Sequence, residues 1–189
     1  MVHRVLLVPG IYNSGPRHWQ SLWEQHDPAF VRVAFEDWEH PRRERWVETL
    51  ESTLRELGPT TVVVAHSLGC LAVAHWASSS SHAPIHAALL VCVPDPLGPI
   101  FPGDAYGFAP VPLANFDFPS VIVASEDDPY STGDHARRCA SAWDSRLVNV
   151  GAKGHINADS NVGTWVEGRN LLMTLLPAGT TLRAGAPGG

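Results

Sequence analysis

A chain of 189 residues, 44% hydrophobic and 17% charged, has the composition of one compact globular domain rather than of a disordered or membrane-spanning protein. Its formal net charge of −6, with few clustered basic residues, argues against nucleic acid as a ligand. The three cysteines form no CxxC pair and the N-terminal apolar run is short, so we expect reduced thiols and a cytoplasmic location.

Six short apolar or β-branched runs alternate with longer amphipathic stretches, a pattern typical of βα units. The predicted strands are residues 5–8, 31–35, 61–65, 87–93, 121–124 and 147–150. The predicted helices are residues 46–57, 68–77, 135–143 and 162–176. This order predicts an α/β fold in which helices cover both faces of a mostly parallel, six-stranded sheet.

The chain shows no repeat and no linker between domains. We therefore expect a single domain over residues 1–177 and a disordered Gly/Pro/Ala-rich tail over residues 178–189. One connection, residues 94–119, is long and contains many prolines and aromatic residues. Loops of this length commonly form lids or binding elements, and poor order is the alternative interpretation.

The third predicted strand runs directly into the Ala-His-Ser-Leu-Gly segment 65–69, and a helix follows. A serine at such a break, with small residues two positions before and after it, is typical of a nucleophile elbow. This tight turn raises the serine hydroxyl above the carboxyl edge of the sheet. Ser67 would equally suit the N-cap of the helix, and the pentapeptide alone leaves both interpretations open.

The residues that follow two later strands favour the interpretation of Ser67 as a nucleophile over that of a helix N-cap. The fifth strand runs into Asp127 and Asp128, and the sixth runs into His155. An α/β-hydrolase needs a serine, an acid and a histidine in this order. We predict that His155 takes the proton of Ser67 as general base, with one aspartate orienting its ring. Asp128 is favoured because Pro129 fixes the turn beyond it; Asp127 would then brace the loop, and the opposite assignment stays open.

Attack on a carbonyl also needs donors that stabilise the developing oxyanion. The candidates are the backbone N–H groups of Leu68, directly after the serine, and of Ile11, in the turn after the first strand. The residues predicted to border a substrate pocket are Tyr12, His18, Trp19, Phe101 and Phe108, with packing as the alternative for His18 and Trp19. No metal-ligand spacing, phosphate loop or dinucleotide fingerprint occurs, so we predict neither a metal nor a cofactor.

Four segments together resemble the compact serine hydrolases related to retinoblastoma-binding protein 9 and its bacterial counterparts, within the α/β-hydrolase superfamily. They are Val-Pro-Gly at 8–10 with His-Trp at 18–19, the elbow at 65–69, Ser-Glu-Asp-Asp-Pro at 125–129, and Gly-His-Ile-Asn-Ala at 154–158. The resemblance implies Ser67, Asp128 and His155 as a catalytic triad, and no large cap domain. A Leu-x-Cys-x-Glu segment for binding pocket proteins is absent from the sequence, so that partner is not carried over.

The sequence thus predicts a hydrolase that cleaves a carboxylic ester, or a related acyl bond, through an acyl-enzyme on Ser67. Thioester, lactone and amide cleavage or acyl transfer would use the same residues. A non-enzymatic binding module and a cofactor-free lyase or isomerase are the alternatives. The predicted partner is a small-molecule acyl substrate, and we predict binding neither to nucleic acid nor to a membrane. We expect the protein to be a monomer or a small homo-oligomer.

Overall fold

The computed structural model describes residues 4–176 and residue 180. In this part of the chain the strands are β1 (Val5–Val8), β2 (Phe30–Arg32), β3 (Val62–His66), β4 (Ala87–Val91), β5 (Ser120–Ala124) and β6 (Arg146–Asn149). The helices are α1 (Trp19–His26), α2 (Arg43–Leu57), α3 (Leu68–Ala77), α4 (Gly133–Trp143) and α5 (Val166–Met173), with a 3-10 turn at Ala158–Ser160. Apart from residue 180, the predicted tail lies outside the described residues.

The strands form one six-stranded sheet in the order β2-β1-β3-β4-β5-β6, and each neighbouring pair is parallel. Successive strand residues enter opposite cores: Leu6 and Val63 pack with α2, α3 and α4, whereas Leu7 and Val64 pack with α1 and α5. Both faces are therefore buried, which explains why the strands read as continuous apolar runs. The predicted α/β architecture, a parallel six-stranded sheet with helices on both faces, is confirmed.

Several predicted boundaries differ from the structure. The strand predicted to end at residue 93 ends at Val91, because Cys92 has a φ of 55° and leaves the extended region. The helix predicted over 162–176 is wrong in length, since Gly163 and Trp165 both adopt left-handed backbone angles and α5 begins at Val166. Helix α1 (Trp19–His26) was not among the predicted helices.

The long connection over residues 94–119 contains no helix or strand, and all of it is described. Its early part, at Phe101 and Pro102, borders the cavity above the carboxyl edge of the sheet. Its later part packs into the core through Phe108, Phe116 and Phe118. The lid prediction therefore suits only the early part, because burial of the later aromatic rings anchors the rest of the segment.

Candidate active site

Ser67 lies between β3 and α3 with φ 54° and ψ −126°, a conformation that non-glycine residues rarely adopt. Its backbone N–H donates to the carbonyl of Val91 at 2.9 Å, and its own carbonyl accepts from Cys70 N. Although Ser67 occupies the N-cap position of α3, its side chain makes no capping hydrogen bond. The hydroxyl is consequently available for another partner.

The glycines around Ser67 are required by close backbone contacts. A Cβ on Gly69 would lie 2.3 Å from the carbonyl oxygen of Val8, at the end of β1. A Cβ on Gly10 would lie 2.9 Å from the Cβ of Ser67. The turn after β1 therefore lies directly against the elbow, and this brings Ile11 to the same site.

Three strand ends bring three side chains into one hydrogen-bonded chain. The Oγ of Ser67 lies 2.7 Å from Nε2 of His155, and Nδ1 of His155 lies 2.8 Å from Oδ1 of Asp128. The same carboxylate oxygen accepts from the backbone N–H of Tyr130 at 3.0 Å. His155 and Asp128 are buried, which strengthens these polar contacts and restricts their geometry.

Asp127 has a different set of partners. Its Oδ1 accepts from Gly154 N at 2.7 Å and from Ser125 Oγ at 2.9 Å. These hydrogen bonds lower the pKa of its exposed carboxyl, the one from Gly154 contributing most. Asp127 thus fastens the loop that carries His155 and does not contact the imidazole ring itself.

A cavity of about 260 Å³ opens above this chain of hydrogen bonds. The predicted residues that line it are Ile11, Tyr12, His18, Ser67, Leu68, Phe101 and His155. The cavity wall also contains Asn13, Tyr130, Asn157 and Ala158, none of which was predicted to border a pocket. Tyr130, whose ring lies 4.5 Å from that of His155, was detectable as the second residue after Asp128.

Two of the predicted pocket residues do not line this cavity. Trp19 is fully buried, and its Nε1 donates to the carbonyl of Ile156 at 2.8 Å. It therefore anchors the loop directly after His155. Phe108 is also fully buried and packs edge-on against Trp46 of α2. Trp19 therefore fits the packing alternative and Phe108 is a core residue, because these large rings bury more apolar surface in the core than a cavity wall would allow.

A row of three imidazoles, His18, His66 and His155, lies beneath the cavity, with centroid separations of 4.8 Å and 4.9 Å between neighbours. Nε2 of His66 lies 2.8 Å from the carbonyl of His155, so His66 is expected to donate there and brace the elbow. Burial, with contributions from Arg32 and His155, lowers the pKa of His18 to about 4. Burial also holds the pKa of His66 well below its ordinary value. Both rings are neutral at neutral pH.

This burial predicts a loss of stability in acid. Between pH 6.5 and about 4 the unfolded chain binds a proton at His18 that the native state does not, so acidification favours unfolding. A shift from 6.5 to about 4 corresponds to about 3 kcal/mol at full effect. Urea unfolding across this pH range should show that the free energy of unfolding decreases as the pH is lowered. The decrease should be less steep in His18→Asn than in the wild type. Identical slopes in the two proteins would contradict the assignment.

Among the described residues, one group has donor atoms close enough to hold a cation: His66, Cys92 and His155, with those atoms within 4.8 Å of one another. Both ring nitrogens of His155 are already in hydrogen bonds, Nε2 with Ser67 and Nδ1 with Asp128. Burial raises the pKa of the Cys92 thiol and keeps it protonated. A cation there would have to break the hydrogen-bonded chain and remove the thiol proton.

No helix in the described part of the chain has the length and hydropathy needed to cross a bilayer. The model of the serine hydrolase family matches residues 5–174. No curated protein sequence matches the chain significantly.

Solved structures of similar fold include a YdeN-like hydrolase from Pectobacterium atrosepticum, which is 30% identical over 93% of each chain with a TM-score of 0.79. The ydeN gene product of Bacillus subtilis is 22% identical over 92% of this chain and 98% of that one, with a TM-score of 0.71. Carboxylesterase CesB of Bacillus subtilis is 13% identical over 94% and 84% of the two chains, with a TM-score of 0.63. At these identities, the similarity to the two Bacillus subtilis proteins shows only that the fold is shared. With the family match over residues 5–174, the chain belongs to the serine hydrolase family, as a compact single-domain α/β-hydrolase similar to the YdeN-like hydrolases.

Proposed function

We propose that this hydrolase cleaves a carboxylic ester, or a related acyl bond, through an acyl-enzyme on Ser67. The observation that carries the proposal is the chain of hydrogen bonds at 2.7 Å and 2.8 Å from Ser67 through His155 to Asp128, beside an open cavity. Membership of the serine hydrolase family supports the reaction class. Acyl transfer and cleavage of thioesters, lactones or amides use the same groups.

In the first step Ser67 Oγ attacks the carbonyl carbon while its proton moves to Nε2 of His155. The carbonyl π electrons move onto oxygen, and when they return the alkoxide leaves, taking the proton from His155. A water then repeats the sequence on the acyl-serine and releases the carboxylic acid. Asp128 keeps the proton of the resting imidazole on Nδ1 and stabilises the imidazolium formed in each half-reaction.

The proposed oxyanion donors are the backbone N–H groups of Ile11 and Leu68. Both residues line the cavity next to Ser67, and Leu68 is the first residue of α3, where the helix dipole favours negative charge. The lack of a side chain on Gly10 lets the Ile11 turn lie close to the elbow, since a Cβ there would lie 2.9 Å from the Cβ of Ser67. A donor of this kind contributes about 2.7 to 4 kcal/mol to the transition state.

The size and lining of the cavity support a small or medium acyl group. Its volume of about 260 Å³ lies just below the range of ligand pockets, which span roughly 300 to 1,000 Å³. Ile11, Leu68, Phe101 and Pro102 supply apolar surface to its wall. We also infer a cytoplasmic location, supported by three buried cysteines that are free thiols.

A fluorophosphonate probe tests the activated serine. We expect the purified protein to be labelled and labelling to vanish in Ser67→Ala, because the probe forms a covalent bond only with a nucleophilic hydroxyl. Ser78→Ala, which alters a serine at the other end of α3, is the matched control and should be labelled like the wild type. A folded wild type that stays unlabelled would favour a non-enzymatic binding module.

A further inference from the structure

His18 has a hydrogen-bonding atom that the fold leaves unused. The residue is buried, with 5% of its surface exposed, and Nε2 has no partner among the described residues. A buried donor without a partner loses the hydrogen bond that it would make to water, so such atoms are uncommon unless a ligand completes them. His18 also lines the same cavity as Ser67.

The fold determines which nitrogen of His18 carries the proton. Nδ1 accepts from the backbone N–H of Gln20 at 3.2 Å, where it caps the N-terminus of α1. This nitrogen must therefore be unprotonated. Burial and the nearby charge of Arg32 lower the pKa of His18 to about 4, so the ring is not doubly protonated at neutral pH. The remaining proton lies on Nε2, which is consequently a donor.

The neighbours of His18 hold the ring in place. Its centroid lies 5.2 Å from that of Trp19 and 4.8 Å from that of His66. Turning the ring over would also remove the cap of α1, because Nδ1 would move away from Gln20. The donor is thus preorganised, and binding a substrate there loses little side-chain entropy.

The acceptor for this donor should be uncharged. A buried carboxylate needs a charged partner, and neutral His18 supplies none. Arg32, whose charge acts on His18, is already engaged: its guanidinium pairs with Glu24 at 2.7 Å and donates to Asn13 Oδ1 at 2.8 Å. A carbonyl, hydroxyl or ether oxygen meets the requirement, since each accepts a hydrogen bond without bringing a charge into the site.

We propose that Nε2–H of His18 donates a hydrogen bond to an uncharged oxygen on the acyl chain, so that the enzyme prefers oxygen-bearing acyl groups to plain hydrocarbon ones. The inference rests on the proposed function, and it specifies the substrate of that site. In this role His18 recognises the substrate and takes no part in proton transfer from Ser67. Binding of the oxygen would complete the hydrogen bonding of Nε2.

The preference can be measured with p-nitrophenyl esters that differ by one atom. Pentanoate is compared with ethoxyacetate and 3-methoxypropanoate, in which an ether oxygen replaces one methylene group. The variant His18→Asn keeps a side-chain oxygen to cap α1 but is too short to carry a donor to the same place. Comparing wild type with variant cancels the intrinsic reactivity of each ester.

For at least one ether, we expect the ratio of its kcat/KM to that of pentanoate to fall about tenfold in His18→Asn, the effect of losing one buried hydrogen bond. His18→Phe, which keeps a planar ring, should give the same loss. An unchanged ratio for both ethers would overturn the inference. So would an equal loss with all three esters, which would make His18 a donor to the reacting carbonyl or a structural residue.

Two further measurements separate this inference from the proposed function. Nitrogen-15 NMR of the imidazoles in the wild type should show His18 protonated on Nε2 alone at neutral pH; a proton on Nδ1 would overturn the inference without any activity assay. Fluorophosphonate labelling of Ser67 reports the hydrolase chemistry directly. Labelling with an unchanged ester ratio overturns only the role of His18, whereas an unlabelled wild type overturns the proposed function and this inference with it.

Discussion

Replacing His155 with alanine should lower the turnover of a p-nitrophenyl ester on the order of 10⁶-fold, the loss measured when a triad histidine is removed from a serine protease. The reason is the contact of 2.7 Å between its Nε2 and the Oγ of Ser67. Without this base the serine hydroxyl stays protonated and is a weak nucleophile at neutral pH. Steady-state kinetics with a chromogenic ester would measure the loss.

The matched experiment tests whether Ser67 and His155 act as one unit. Ser67→Ala, His155→Ala and the double variant should lose nearly the same turnover, because removing either residue disables the other. His40→Ala, which removes an exposed histidine, is the control and should retain activity. Turnover of folded His155→Ala within tenfold of the wild type would exclude His155 as the base.

Replacing Asp128 with asparagine should lower turnover by about 10⁴-fold, as the same change does in a serine protease triad. The carboxylate accepts the Nδ1–H of His155 at 2.8 Å and lies in a buried position. An amide can donate to Nδ1 and select the wrong tautomer, and it has no charge to stabilise the imidazolium. Thermal unfolding of the variant would check that the fold survives.

Asp127→Asn is the matched control for this change. Asparagine keeps an oxygen that can accept from Ser125 and Gly154, so the loop that carries His155 should stay in place. We expect turnover to remain within about tenfold of the wild type, as for the weakening of one hydrogen bond. If Asp127→Asn lost more turnover than Asp128→Asn, the assignment of the acid would be reversed.

Some parts of this architecture were predictable because they depend on local chain chemistry. β1 and α3 were predicted with the bounds that the structure gives them, since an apolar run ending at Pro9 and a run of apolar helix formers leave few alternatives. The α5 boundary was not predictable in the same way. Its start depends on left-handed angles at Gly163 and Trp165, which tertiary contacts around the Trp165 ring stabilise.

By itself the sequence determined the βα alternation and the order of serine, aspartate and histidine, because strand periodicity and motif order are properties of the chain. Only the tertiary structure separated Asp128 from Asp127. The two are adjacent in sequence, and their roles depend on which carboxylate faces the ring of His155.

The structure likewise places Trp19 and Phe108 in the core, and it leaves Nε2 of His18 without a hydrogen-bond partner in a residue that lines the same cavity as Ser67. A residue's type gives its chemistry, but the partner of a buried group comes from segments far away in sequence. The contact between Trp19 and Ile156, for example, joins residues from opposite ends of the domain. Packing therefore decided which of the predicted residues face the cavity and which support it.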